Sequence, residues 1–198
     1  FHEGKIRHLG TVNFGGCNVT GDIVQGIGVT QAVAERLKER YGCAYEPMVD
    51  PDDIVELPST VAQGERNIPR EVLSQIIHQR IDEIFSLVHS EIQRAGYANR
   101  LSGGIVVTGG AAAMSGVAEL ATDVFGTGVR VGLPTENISG LSDSVEAPRF
   151  STVVGLALYG ANRMAIGGSS AGGRKRAISS PNVDRLVQRM KTWLQDFF

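Results

Sequence analysis

Residues 103–116 read GGIVVTGGAAAMSG, and the fold turns on how this stretch is understood. Ile105, Val106 and Val107 form a β-branched run, which suits a short strand buried on both faces. Thr108-Gly109-Gly110 then turns the chain. Val117, Leu120, Ala121 and Val124 recur at helical spacing, so a helix is predicted over 117–125. Paired glycines between a strand and a helix let backbone approach a ligand where side chains would block it. The same turn also serves close packing alone, and at this level both readings stand.

Working outward, residues 129–132 form a second short strand, and a loop marked by Gly, Ser and Pro covers 133–149. Val153, Val154, Leu156, Ala157 and Leu158 predict a buried helix over 151–159, packed on the sheet. On the other side, a long helix is expected over 69–95, with Asn67 as cap, Pro69 in the first turn and Gly96 as the stop. Leu73, Ile76, Ile77, Ile81, Ile84, Phe85, Val88 and Ile92 make its apolar stripe. Residues 43–67 are irregular, with 54–57 the best strand. A helix over 32–41 ends at Gly42. Before it, Gly15-Gly16 opens a turn in which Thr20 or Asp22 suits an N-cap. Residues 1–13 read as a strand pair, with Glu3-Gly4 as a turn and apolar and polar positions alternating over 5–12. Strands alternating with helices make the chain α/β.

The chain has 198 residues, 42% of them hydrophobic, enough for a core in one large domain or two small ones. Its net charge of −2 is uneven. Residues 1–173 carry 13 Lys and Arg against 19 Asp and Glu, and residues 174–198 carry 6 against 2. A basic tail on an acidic body suggests an anionic partner for the tail. Cys17 and Cys43, without a CxxC or a His cluster, read as reduced, packed thiols, and no metal site is expected. No signal peptide is visible, and no apolar run approaches the ~20 residues of a membrane span. The sequence does not begin with Met and Phe1 opens in strand-like sequence, which suggests a fragment.

Residues 164–180 change character. They are rich in Gly, Ser and Ala, carry Arg174-Lys175-Arg176, and read as a flexible basic linker. Gly168-Ser169-Ser170-Ala171-Gly172 matches the G-x-S-x-G nucleophile pattern but lacks the strand and helix that chemistry requires. Beyond the linker, residues 181–198 place Val183, Leu186, Val187, Met190, Trp193, Leu194 and Phe197 on one helical stripe. An 18-residue helix would be ~27 Å long. Docking back on its own domain, a partner groove and a membrane surface are the three homes for that stripe. Trp193, Phe197 and Phe198 at one end, with the basic cluster before them, favour an anionic membrane surface through Leu186, Met190, Trp193, Leu194, Phe197 and Phe198.

Three features then coincide: Gly15-Gly16 with Thr20, Asp22 and Ile23; Val107-Thr108-Gly109-Gly110-Ala111-Ala112; and an amphipathic helix after a Gly/Ser linker. Together with Gly42-Cys43-Ala44, Glu56-Leu57-Pro58-Ser59 and residues 148–156, they resemble the FtsA family of actin-like cell-division proteins. The resemblance implies the second lobe of an actin-like, ribonuclease-H-like ATPase fold: a mixed sheet with flanking helices over 1–163, with the outer subdomain inserted at about 43–100. It implies an adaptor that anchors the FtsZ ring to the cytoplasmic face of the inner membrane at the septum. That adaptor would self-associate into filaments, recruit further division proteins and take no nucleic acid.

By position, Gly109, Gly110 and Ala111 would lie against ATP, with Gly16 near its phosphates. Glu35 and Lys38 resemble the pair that flanks ribose and adenine, although E-x-x-K spacing equally makes a plain helical ion pair. Arg80, with Glu83 three residues on, resembles the contact for the FtsZ tail, and a simple surface pairing of the two stays open. The family's other phosphate hairpin and catalytic carboxylate have no counterpart, since no D-x-G-x-x-T or G-x-x-x-x-G-K segment occurs. Bound ATP with magnesium is therefore expected of a longer parent. No catalytic residue, and no enzyme activity, is expected of this chain alone. A sugar- or acetate-kinase-like enzyme and an MreB or pilus-type scaffold are the alternatives.

Overall fold

The computed structural model describes residues 4–60, 64–134 and 142–169. The elements run α1 (Gly16–Ile23), α2 (Gln31–Tyr41), β1 (Ile54–Thr60), β2 (Gly64–Pro69), α3 (Arg70–Arg94), β3 (Ile105–Val107), α4 (Val117–Phe125), β4 (Val129–Val131) and α5 (Ser151–Ser169). Two units separate between Ala157 and Leu158.

One apolar cluster joins the helices of the first unit. Val19 and Ile23 of α1, Ala34 and Leu37 of α2, Leu73, Ile77 and Ile81 of α3, and Val117 and Leu120 of α4 are all buried in it. Leu73, Ile77 and Ile81 of the α3 stripe therefore face inward as its spacing predicts, while Ile76, Ile84, Phe85, Val88 and Ile92 are half-buried. Ser74, fully buried beside Leu73, donates its hydroxyl to the Cys43 carbonyl at 2.9 Å, which removes the cost of an unpaired polar group.

β1 and β2 form an antiparallel hairpin in which Val55 pairs with Ile68 and Leu57 with Arg66. Val55 and Leu57 are buried while Ile54 between turns is exposed, the alternation of a half-covered strand. β2 is invisible to pattern reading because GERNIP offers only Ile68 as an apolar residue. It exists because β1 supplies a ladder, and Arg66 ties it to α1's end by donating to the Ile27 carbonyl at 3.1 Å. That end is itself unforeseen: after Ile23 the helix widens into a π turn over Val24–Gly28.

β3 and β4 pair in parallel through α4, with Ile105 opposite Val129 and Val107 opposite Val131. The crossover begins at Gly116, whose φ of +78° is left-handed and whose missing Cβ would lie 2.6 Å from the Tyr45 nitrogen. This close approach permits the parallel bridge between Cys43 and Ser115.

Several expectations need correction. Val106 is 51% exposed rather than buried on both faces, because among the described residues the β3–β4 pair has no layer over that side. Residues 6–12 form no strand. Ile6 and Leu9 are exposed, and among the described residues no strand pairs with 6–12. α1 starts at Gly16 rather than at Thr20 or Asp22; Asn18 caps it by accepting the Gly15 N–H at 2.9 Å. The cap of α3 is Pro69, not Asn67, which sits within β2. The predicted buried helix at 151–159 is present as α5, but Val153, Leu156 and Tyr159 are exposed. An all-round apolar helix needs cover on every side, and this one is fastened at Ser151. It runs to Ser169, into the stretch read as linker. Cys43 is buried as expected, whereas Cys17 is exposed. The tail over 181–198 lies outside the described residues.

Ile77 touches no solvent and sits at the meeting of α1, α2 and α3. Ile77→Ala is expected to lower unfolding stability in urea by about 3 kcal/mol, and a loss under about 1 kcal/mol would contradict the packing described.

Candidate functional site

Four separated stretches of sequence line one cavity of about 490 Å³. Its walls include Gly16 and Cys17 at the start of α1, Glu35 and Lys38 on α2, and Gly110 and Ala111 after β3. Gly109 precedes the wall and shapes it. Its φ of +101° with ψ of 175° is a conformation open essentially to glycine, and its N–H donates to the Pro148 carbonyl at 3.2 Å. The chain can then coil into a 3₁₀ turn over Gly110–Ala113 instead of continuing as a strand. Thr108 holds the same corner by donating to the Gly132 carbonyl at 2.8 Å.

Gly16 meets that turn from the other side. A Cβ there would lie 3.3 Å from the Ala111 Cβ and 3.7 Å from Lys38 Nζ. The close approach of α1 to the turn thus depends on the missing side chain.

Lys38 is buried, and its ammonium is fully engaged inside the protein. Nζ donates to the Gly16 carbonyl at 3.1 Å, to Thr20 Oγ1 at 2.8 Å and to Glu35 at 2.8–2.9 Å. Thr20 Oγ1 lies 2.5 Å from Glu35 Oε2. The Glu35 side chain remains 44% exposed on the cavity side. Burial acts to raise its carboxyl pKa, but the hydrogen bonds from Lys38 and Thr20 and the Lys38 charge together hold it below the ordinary 4.5.

The E-x-x-K pair is therefore present as an ion pair, and it is more than a helical one because it binds α2 to α1. Pattern reading missed Thr20 as part of it, although Thr20 lies one turn after Gly16. It also gave no role to Arg149, which lines the cavity with its guanidinium 5.0 Å over the Phe150 ring. What the arrangement offers chemically is a small-residue wall, an ionised carboxylate and a cation at one opening.

Arg80 lies elsewhere, on α3. It forms a fork with both oxygens of Asp22 on α1 and a further pair with Glu83. The Asp22 hydrogen bond is the main cause of its raised pKa. The surface pairing with Glu83 is thus present, and Asp22 is the partner that spacing did not reveal. A larger cavity, about 690 Å³, lies beside His8, Tyr97 and Arg100; none of the predicted site residues lines it. Among the described residues no group of three metal-ligating side chains occurs, and no helix is long and apolar enough to cross a membrane.

The fold is that of actin-like proteins. It is similar to MreB5 of Spiroplasma citri bound to ADP, with a TM-score of 0.58 at 16% identity over 75% of this chain and 44% of that one. The AMPPNP-bound form of the same protein gives 0.55, again at 16% identity, over 77% and 45%. Within that class, the profile of the family described as "Cell division protein FtsA" matches residues 1–155, and the chain belongs to the FtsA family. It is 36% identical to the FtsA of Pseudomonas aeruginosa over 100% of this chain and 47% of that protein. It is 37% identical to that of Escherichia coli K12 over 98% and 47%, and 34% identical to that of Neisseria meningitidis over 100% and 47%. The chain thus spans about half the length of these relatives.

The lowered pKa of Glu35 sets an acid dependence. The unfolded carboxyl takes up its proton first as pH falls, so the stabilisation is complete above about 4.5 and is lost as pH drops through the lower folded value. Glu35→Gln is expected to be less stable than the parent at pH 7, with the gap closing as pH falls below 4.5 in denaturant titrations. A gap of constant size across that range would contradict the assignment.

Proposed function

We propose that this chain contributes one wall of an ATP-binding cleft in an actin-like adaptor of cell division. The observation that carries the nucleotide reading is the single cavity on which Gly16, Glu35, Gly110 and Ala111 converge. Small residues at Gly16, Gly110 and Ala111 leave backbone open to phosphates, Arg149 supplies a cation, and the Glu35 carboxylate suits sugar hydroxyls. The two MreB5 structures hold an adenine nucleotide, ADP or AMPPNP, in the same fold class. Magnesium would arrive on the phosphates. Hydrolysis is not part of the proposal for this chain alone.

The adaptor role rests on the family and on the tail. Residues 181–198 would seat Leu186, Met190, Trp193, Leu194, Phe197 and Phe198 in an anionic lipid surface, at the cytoplasmic face of the inner membrane and at the septum. Tails presented together through self-association would hold more firmly than one. An acidic FtsZ tail would reach Arg80 by displacing Glu83, whose side chain is 52% exposed against 27% for Asp22. Recruitment of further division proteins would follow from that placement.

Gly16→Val puts methyl groups where Ala111 and Lys38 already stand. It is expected to weaken binding of a fluorescent ATP analogue by the full chain at least ~10-fold, in line with loss of close backbone approach; undiminished binding would remove the cavity from consideration. For the tail, Trp193→Glu is expected to abolish co-sedimentation with vesicles containing anionic phosphatidylglycerol. Equal pelleting of the variant would refute the membrane assignment.

A further inference from the structure

We propose that Thr20 is a positioning residue that acts through Glu35. Its hydroxyl occupies one carboxylate oxygen so that the other is left for the sugar hydroxyls of a ribonucleotide, and this sets a preference for ribose over 2′-deoxyribose. The proposal rests on the nucleotide reading of the cavity and deepens it.

A carboxylate oxygen accepts at about two sites, an ammonium donates three protons and a threonine hydroxyl donates one. Lys38 directs its protons to the Gly16 carbonyl, to Thr20 Oγ1 and to Glu35, which leaves none for a ligand. The one Lys38 proton left for Glu35 is shared between Oε2, at 2.9 Å, and Oε1, at 2.8 Å, while Thr20 adds its own hydrogen bond to Oε2 at 2.5 Å. Among the described residues, Oε1 receives nothing beyond that shared proton. Oε1 is therefore the carboxylate oxygen with the greater acceptor capacity left, and it belongs to a side chain lining the cavity.

The Thr20 proton has a second outlet, the Gly16 carbonyl one turn back at 3.1 Å. The shorter contact to Glu35 is to a charged acceptor, which makes the stronger hydrogen bond, and Lys38 already serves Gly16. Thr20 is fully buried between Val19 and the Ile23 turn, a place where packing alone would accept valine. Its hydroxyl is accounted for by the network rather than by the core. Fixing Oε2 also fixes the plane of the carboxylate, and hence the direction in which Oε1 accepts.

Thr20→Val keeps the shape but removes both the proton given to Glu35 and the acceptor used by Lys38, and Thr20→Ser keeps both. Two measurements on the full chain decide the matter: dissociation constants for ATP and 2′-deoxy-ATP, and the titration of the Glu35 carboxyl followed by carbon NMR. With Thr20→Val, ATP is expected to bind ~5–10-fold more weakly, the loss of about one hydrogen bond, while 2′-deoxy-ATP changes less than about twofold. The Glu35 midpoint is expected to rise, and Thr20→Ser restores both. Equal weakening of the two nucleotides would reduce Thr20 to a structural role and overturn the proposal, as would an unmoved Glu35 midpoint. If the parent chain binds neither nucleotide, the ribose preference falls with the nucleotide reading. A risen Glu35 midpoint then locates the failure in the ligand and not in the Thr20–Glu35 bond.

Discussion

Burying the Lys38 ammonium obliges every one of its protons to meet an acceptor, and the rest of the site is arranged around that demand. A buried charge left unpaired costs several kcal/mol. Here the acceptors come from two helices, the Gly16 carbonyl and Thr20 on α1 and the Glu35 carboxylate on α2. The polar network therefore fixes how α1 lies against α2, beneath the apolar contacts of Val19, Ile23, Ala34 and Leu37. With α1 placed, Gly16 comes against Ala111, and the turn after β3 becomes the opposite wall of a cavity.

The same helix reaches a second place on the molecule. Asp22, two residues beyond Thr20, accepts the fork of Arg80 from α3. α1 thus carries a carboxylate that binds the long helix and a hydroxyl that binds the cavity's own carboxylate. The arginine that family resemblance marks for a partner and the residues it marks for a nucleotide are both fastened to one short helix.

Elements with strong periodicity were readable from sequence because their cores face one direction. α2, α3 and α4 each carry apolar residues at helical spacing, and the buried residues of these helices, such as Leu37, Leu73, Ile77, Ile81, Val117 and Leu120, are among them. What stayed hidden depends on contacts between distant segments. β2 has almost no apolar signal and forms on the ladder of β1, and the π turn at Val24–Gly28 has no local pattern at all. The candidate site divides in the same way. Gly16, Glu35, Lys38, Gly110 and Ala111 were legible as motif positions and meet on one cavity. Thr20 and Arg149 were not, because a threonine inside a helix and an arginine in a loop acquire meaning only from what they face. The inward engagement of Lys38 was equally out of reach, since spacing pairs it with Glu35 but cannot show that Gly16 and Thr20 exhaust its protons.

The central claim is that the cavity between α1, α2 and the Gly110–Ala113 turn receives a nucleotide. Amide NMR of the full chain during addition of ATP tests it most directly. The account predicts that shifts concentrate at residues 16–20, 35–38 and 109–113 and saturate together with one affinity. Shifts confined to the cavity beside His8 and Arg100, or no saturable shifts at all, would contradict it.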